Sequence, residues 1–360
     1  MRRPTRRPKA MLTAFIVVFV VASFAGTIAL DASLAVRFPY LASLAAQFAD
    51  QTEPTVLSLG SSRTSGYFDV NRVTNLLKDR RLVAFNAAVH GSTLTTHEQV
   101  LVELLRSGKP PALVTIEVNP EFLHRRLCWV HPQRDVVWSN FIEIARDLAG
   151  RRGGRLVETR VLPLYARRFE IRLAAWKAAN AWFARTPAPI GAALQTLPPA
   201  YDGRIEGAPP APLMTDSLRE AQRRLAPPPL VEFSPNGAAA RALERMLAEC
   251  RNRDIPVLLV DAPLCSLSRE SLAPVERDYR SYIQSVLERF PNARYFDAKD
   301  ALPDSAFVDQ HHANEYGRYL MSERLASTVI PKFLDTWRDR VASGGVRHGM
   351  ARLDETPTAQ

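Results

Sequence analysis

A doubly wound α/β fold, with helices layered on both faces of a parallel sheet (α/β/α), is the architecture this 360-residue chain predicts, and three observations predict it. Short apolar runs that end in Gly, Asn or Asp recur along the chain; stretches with helical apolar spacing separate them; and the two alternate in the order strand, helix, strand, helix, strand. The composition, 46% hydrophobic and 23% charged, is that of an ordinary globular protein able to cover such a sheet.

The elements follow in order. Residues 1–9 form a basic segment, and from Ala10 to Leu30 there is no charge. As a helix this span reaches roughly 31 Å, the thickness of a bilayer core. Arg2, Arg3, Arg6, Arg7 and Lys9 precede it and Asp31 follows, which puts the N-terminus in the cytoplasm and the rest of the chain outside. The expectation is an N-terminal transmembrane helix over 10–30 holding a periplasmic or extracellular domain at the inner membrane. Ser23-Phe24-Ala25 keeps a cleaved signal peptide open, and either reading exports the domain. A helical stalk occupies 31–54. Thr55–Leu59 then reads as a buried strand, with further strands at Leu82–Asn86 and Ala112–Val118 and helices at Val70–Leu77 and Val100–Leu105 between them.

The alternation breaks at residue 120 and resumes near 237. The regular part is therefore one domain over 55–335 carrying a large helical, proline-rich insertion over 120–235, with a tail at 336–360. Residues 186–235 hold TPAPIGAALQTLPPA, GAPPAPL and LAPPPL, which predicts extended, irregular chain there. Arg167–Arg185 has the spacing of a basic amphipathic helix, better suited to packing on the domain than to lying on lipid. After the insertion come a helix from 237 to Cys250, strand Val257–Asp261, helix Arg269–Phe290, strand Arg294–Phe296 and a helix from Glu315. This ordering is flavodoxin-like.

Charge and cysteine content exclude several functions. The net charge of +10 would invite nucleic acid, but half of the excess sits before residue 10, so no nucleic-acid partner is expected. Cys128, Cys250 and Cys265 form no CxxC pair or zinc-ligand spacing, so no metal is expected; a Cys250–Cys265 disulfide is the minor alternative to free thiols. No cofactor signature is present.

Ligands of a doubly wound sheet gather beyond the carboxyl ends of its strands. There the chain places Gly60-Ser61-Ser62-Arg63 after the first strand, Asn86 and Gly91-Ser92-Thr93 after the second, Asn119 after the third, and Asp309-Gln310-His311-His312-Ala313-Asn314 near the end. Together they offer a nucleophilic serine, a histidine base, an orienting carboxylate, a glycine N–H and an asparagine amide. In an Asp-x-x-His turn, Asp309 can accept from the imidazole of His312 and fix the tautomer that takes the proton of Ser62.

These four blocks resemble the SGNH (GDSL-type) hydrolase superfamily over 55–119 and 237–333. The resemblance implies Ser62, His312 and Asp309 as catalytic residues and Gly91 and Asn119 as oxyanion donors; Asn314 and Gly317 continue the last block. Two departures stand out. Ser61 occupies the position of the superfamily's Asp, resembling the envelope-anchored branch with the D-alanyl transfer protein of teichoic acid synthesis and glycan O-acyltransferase-like members. Glu117 and Pro120 stand where the asparagine block has Gly and Asp.

Each motif has a simpler reading. Gly60-Ser61-Ser62 can be a helix cap, Asp309 a capping residue, Gly91 a turn glycine and Asn119 a turn before proline. Trp129, His131 and Trp138 could form a sugar-stacking platform, or insertion core. The expected function is a membrane-anchored serine enzyme that hydrolyses or transfers acyl esters on a glycan, lipid or wall polymer. The alternative is a non-catalytic scaffold binding envelope assembly proteins.

Overall fold

The computed structural model describes residues 7–32, 41–124, 141–147, 209–225 and 229–343. The chain divides into two compact units, Met1–Ser43 with His131–Asp202, and Leu44–Val130 with Gly203–Gln360. In the first unit the described elements are helix α1 (Arg7–Ala32) and helix α7 (Phe141–Asp147). Among the described residues no helix is long and apolar enough to cross a membrane, and the side chains of Leu12, Val20, Ser23 and Phe24 in α1 lie outside that description. The amphipathic segment 167–185, Trp129, His131 and Trp138 also lie outside the described residues.

The second unit is built on strands β1 (Thr55–Leu59), β2 (Val83–Asn86), β3 (Leu113–Val118), β4 (Val257–Asp261) and β5 (Ala293–Asp297). They form one sheet in the order β2-β1-β3-β4-β5, every pair parallel. β1, β3 and β4 are buried along their whole length, as mainly apolar strands covered on both faces are. Helix α4 (Val70–Leu77) shares one core with Val56, Leu258, Val260 and Phe296, joined by Met321 of α12 (Glu315–Arg324) and Phe333 of α13 (Ile330–Ala342). Helices α5 (Leu94–Ser107) and α9 (Ala238–Asn252) pack on each other. Phe48 of α2 (Leu41–Ala49) is buried edge-on to Phe85, their centroids 5.2 Å apart.

Several elements differ from expectation. The single helix expected over 269–290 is two, α10 (Ser266–Leu272) and α11 (Glu276–Arg289), joined by a 3₁₀ turn at Ala273–Val275. Pro274 lacks an N–H and cannot continue an α-helix interior, so the chain changes pitch there. Within the proline-rich stretch, Asp216–Leu225 is not irregular but a helix, α8. Its ten residues contain no proline, and Thr215 Oγ1 accepts from Leu218 N at 3.2 Å at its start. The last helix runs through Ala342, across a five-residue π-helical turn at Leu325–Val329. That turn holds Ser327, whose carbonyl Pro331 can neither bond nor approach in a regular helix. Cys250 and Cys265 are free and buried, each inside its own packing environment, so the disulfide alternative is not realised.

Candidate active site

The first strand ends at Gly60, and the chain turns at once into a short helix, α3 (Ser62–Tyr67). Ser61 caps it, its hydroxyl accepting from Arg63 N at 3.2 Å, so Ser62 is the first helical residue. Gly60 is required by close approach: a Cβ there would stand 1.8 Å from Thr64 Oγ1 and 2.7 Å from Glu117 Oε2. The first turn of α3 is thereby pressed against the strand end.

The second half of the site comes from the loop before α12. Phe307 and Ala313 bridge antiparallel, and Val308 N donates to His312 O at 2.9 Å. This closes a tight loop whose inside is Asp309. Its Oδ1 accepts from the backbone N–H groups of His311 (2.9 Å) and His312 (2.8 Å), which leaves Oδ2 for the ring Nδ1 of His312 at 2.7 Å. Asn314 anchors the loop by capping α12 through Gly317 N and by donating to Ser305 O at 2.7 Å. Gly317 is needed because a Cβ would meet Ala306 O at 2.3 Å. Further bonds run from Cys265 N and Ser268 Oγ to Gln310 O.

These two structures meet at Ser62 and His312, Oγ to Nε2 at 2.8 Å. A continuous hydrogen-bonded line therefore runs Ser62–His312–Asp309. Asp309 is held well below the usual carboxylate range: burial pushes it up, but the His312 ring and the two backbone N–H groups outweigh that. The carboxylate anion is thus the stable form beside the His312 ring.

His311 and His312 are adjacent in sequence but differ in placement. Their rings lie 4.2 Å apart, tilted, and His311 makes no part of the line. Burial first, then the charges of Arg63 and His312, lower its pKa to about 3, so it is neutral at any ordinary pH. Asp309, His311 and His312 do offer ligand atoms within 4.8 Å of one another. A metal bound there would have to take ring nitrogens or carboxylate oxygens already engaged in the line to Ser62.

The two expected oxyanion donors occupy neighbouring loops. Asn119 is 1% exposed and caps the short helix α6 (Pro120–Leu123), its Oδ1 accepting from Phe122 N at 2.8 Å. Its Nδ2 is buried without a hydrogen-bond partner among the described residues, a costly state for an amide unless something else accepts from it. Gly91 has φ 63°, a conformation that favours glycine. Its loop is drawn to the end of β1 by Val89 N and Ser92 Oγ, which donate to Gly60 O at 2.8 and 3.0 Å.

The site also contains residues whose function the sequence did not reveal. Glu117 accepts from Ser61 N at 2.7 Å and Ser61 Oγ at 2.9 Å, and from Thr64 Oγ1 at 2.7 Å. Arg63 pairs with Glu121 and lies over the Phe122 ring, 5.7 Å from its centroid. The signal available was the alternation Glu117, Asn119, Glu121, three polar residues two apart at the end of an apolar strand.

A protein-family model matches residues 218–334, a third of the chain that includes β4, β5 and the Asp309–His312 loop. No curated protein matches this sequence. Among solved structures, the chain is similar to LAE5, an alpha/beta hydrolase enzyme from the metagenome of Lake Arreo, Spain (12% identity, 78% of this chain and 96% of that one, TM-score 0.35). It is similar to the same degree to a chain described as a GDSL-like lipase from Parabacteroides merdae (12% identity, 78% and 98% covered, TM-score 0.35). At that identity and TM-score neither likeness bears on what this chain does.

Proposed function

We propose that the chain is a membrane-anchored serine enzyme of the cell envelope that moves acyl groups, hydrolysing or transferring acyl esters on a glycan or wall polymer. The observation that carries this reading is the bonded line Ser62 Oγ–His312 Nε2, His312 Nδ1–Asp309 Oδ2 at 2.8 and 2.7 Å. His312 takes the hydroxyl proton as Ser62 Oγ attacks the acyl carbonyl, and returns it to the departing alcohol. The oxyanion draws on the open Nδ2 of Asn119, with the backbone N–H groups of Ser62 and Gly91 as further donors. The acyl-enzyme is then resolved by water or by a glycan hydroxyl. The 21 uncharged residues from Ala10 to Leu30 behind five cations support anchoring with the domain outside the cytoplasm. A tether favours transfer, because it concentrates a surface-bound acceptor near the acyl-enzyme.

The test is active-site labelling of the full-length protein in detergent with a fluorophosphonate probe. Ser62→Ala abolishes labelling, whereas Ser61→Ala retains it; labelling that survives Ser62→Ala defeats the reading. Acylated glycan formed from a small acyl ester identifies transfer, and acceptor-independent release identifies an esterase. Carbonate washing leaves an anchored protein in the membrane, and a mature N-terminus at Gly26 would replace the anchor with a signal peptide.

A further inference from the structure

Two of the residues that depart from the resembled pattern, Ser61 and Glu117, are 56 residues apart in sequence and in direct contact in the fold. We infer that Glu117 is a positioning residue for Ser62, gripping the chain on both sides of it from the neighbouring strand; this rests on the acyl-enzyme reading above. Glu117 is 1% exposed, so its carboxylate must be satisfied from within. All its observed donors belong to the nucleophile turn. Ser61 gives both its N–H and its hydroxyl, and Thr64 gives its hydroxyl. These are the residues one before and two after Ser62. A rotation of the turn that moved Ser62 Oγ away from His312 would break bonds to a buried anion, which makes that rotation expensive.

The surroundings are consistent with a charged anchor. Tyr67 Oη lies 3.1 Å from Thr64 Oγ1, and burial first, then the charge of Glu117, push its phenol upward so that it stays protonated. Gly60 leaves the space that Glu117 Oε2 and Thr64 occupy. The next polar residue after Asn119, Glu121, pairs with Arg63. Glu117 at the end of β3 and Glu121 in α6 thus clamp the turn at Ser61, Arg63 and Thr64 while leaving Ser62 free to face His312. In the resembled pattern an acid stands at 61 and glycine at 117; here the acid has moved to the strand and the small residue to the turn.

The experiment measures the rate of fluorophosphonate labelling at Ser62, kcat and KM on a small acyl ester, and the melting temperature, all on the full chain. Glu117→Gln keeps the volume but replaces one acceptor with a donor facing Ser61 or Thr64. It is expected to slow labelling and kcat by about tenfold or more with KM within about twofold, as displaced reacting groups do. The shape of the pH–rate profile stays unchanged, because His312 and Asp309 are not touched. In the exchange variant, Ser61→Asp with Glu117→Gly, labelling is expected to be at least about fivefold faster than in Glu117→Gly alone, a coupling that a general loss of stability does not produce. Labelling of Glu117→Gln within about twofold of wild type at a similar melting temperature overturns the inference. Should that variant not fold, Ser61→Ala decides on the same rate: a loss of about threefold upholds the inference and an unchanged rate overturns it. A wild type that does not label at Ser62 defeats the acyl-enzyme reading itself, whereas a labelled wild type with an equally labelled Glu117→Gln defeats the positioning role alone.

Discussion

Two polar clusters sit on the carboxyl edge of the same sheet and have opposite characters. At the β1/β3 side, Ser62, His312 and Asp309 form a line whose histidine side chain is 32% exposed. At the β4/β5 side, Asp261 is fully buried and receives Lys299 Nζ at 3.2 Å and the Tyr295 hydroxyl at 2.8 Å. Lys299 also bonds Glu276 at 2.7 Å, and Arg280 pairs with both Glu276 and Asp297. There the cations spend their charge on carboxylates inside the fold. At the first cluster the histidine's ring faces a serine that is only partly buried. Titratable groups at a sheet edge are therefore not a site by number alone; what separates the two clusters is access.

The comparison breaks most sharply on the histidine. His312→Ala is expected to lower turnover by about 10⁶-fold without lowering the melting temperature, while His311→Ala costs less than about tenfold because that ring stays neutral and outside the line. Kinetics with a small ester check both, and an exchange of the two effects would move the base by one residue. Asn119→Asp keeps the cap on Phe122 but removes the Nδ2 donor, so kcat should fall by about 10²-fold.

The second cluster answers in stability. Lys299→Met strands Asp261 among buried groups and should cost about 3–5 kcal/mol in denaturant unfolding, with turnover per folded molecule little changed. The smallest effect is a pH dependence. Burial pushes the Asp261 carboxyl up to about 6, above its unfolded value of about 4, so the folded state holds the extra proton between these limits. Stability from this group falls as pH rises through that window. Wild type should therefore gain on Asp261→Asn as pH is lowered from about 6 to about 4, measured as a difference in melting temperature.

Much of this arrangement was legible in the sequence. The strands announce themselves because a strand covered on both faces is mostly apolar, and Asp309 and His312 are readable because three residues set the reach of a carboxylate to a ring. Glu117 was visible only as an anomaly in LVTIEV. Its meaning lies in a contact with Ser61 across two strands, and local spacing carries no information about such a partner. The break at Pro274 was open to reading, but the apolar periodicity on both sides of it masked the change of pitch. Helix α8 was hidden by the prolines that flank it, although none falls within it.

The order of the sheet has a consequence for timing. β1 pairs with β2 and β3, and β4 with β5, among near neighbours in sequence, whereas the β3–β4 seam joins Val114 to Val257 and Ser62 lies 250 residues before His312. A ribosome therefore releases Ser62 250 residues before His312. Until the seam closes, the newborn chain carries a serine with no base to activate it. On the function proposed above, a product that terminates before residue 312 should not label at Ser62, so labelling would report that His312 has been made and that both halves of the sheet have joined.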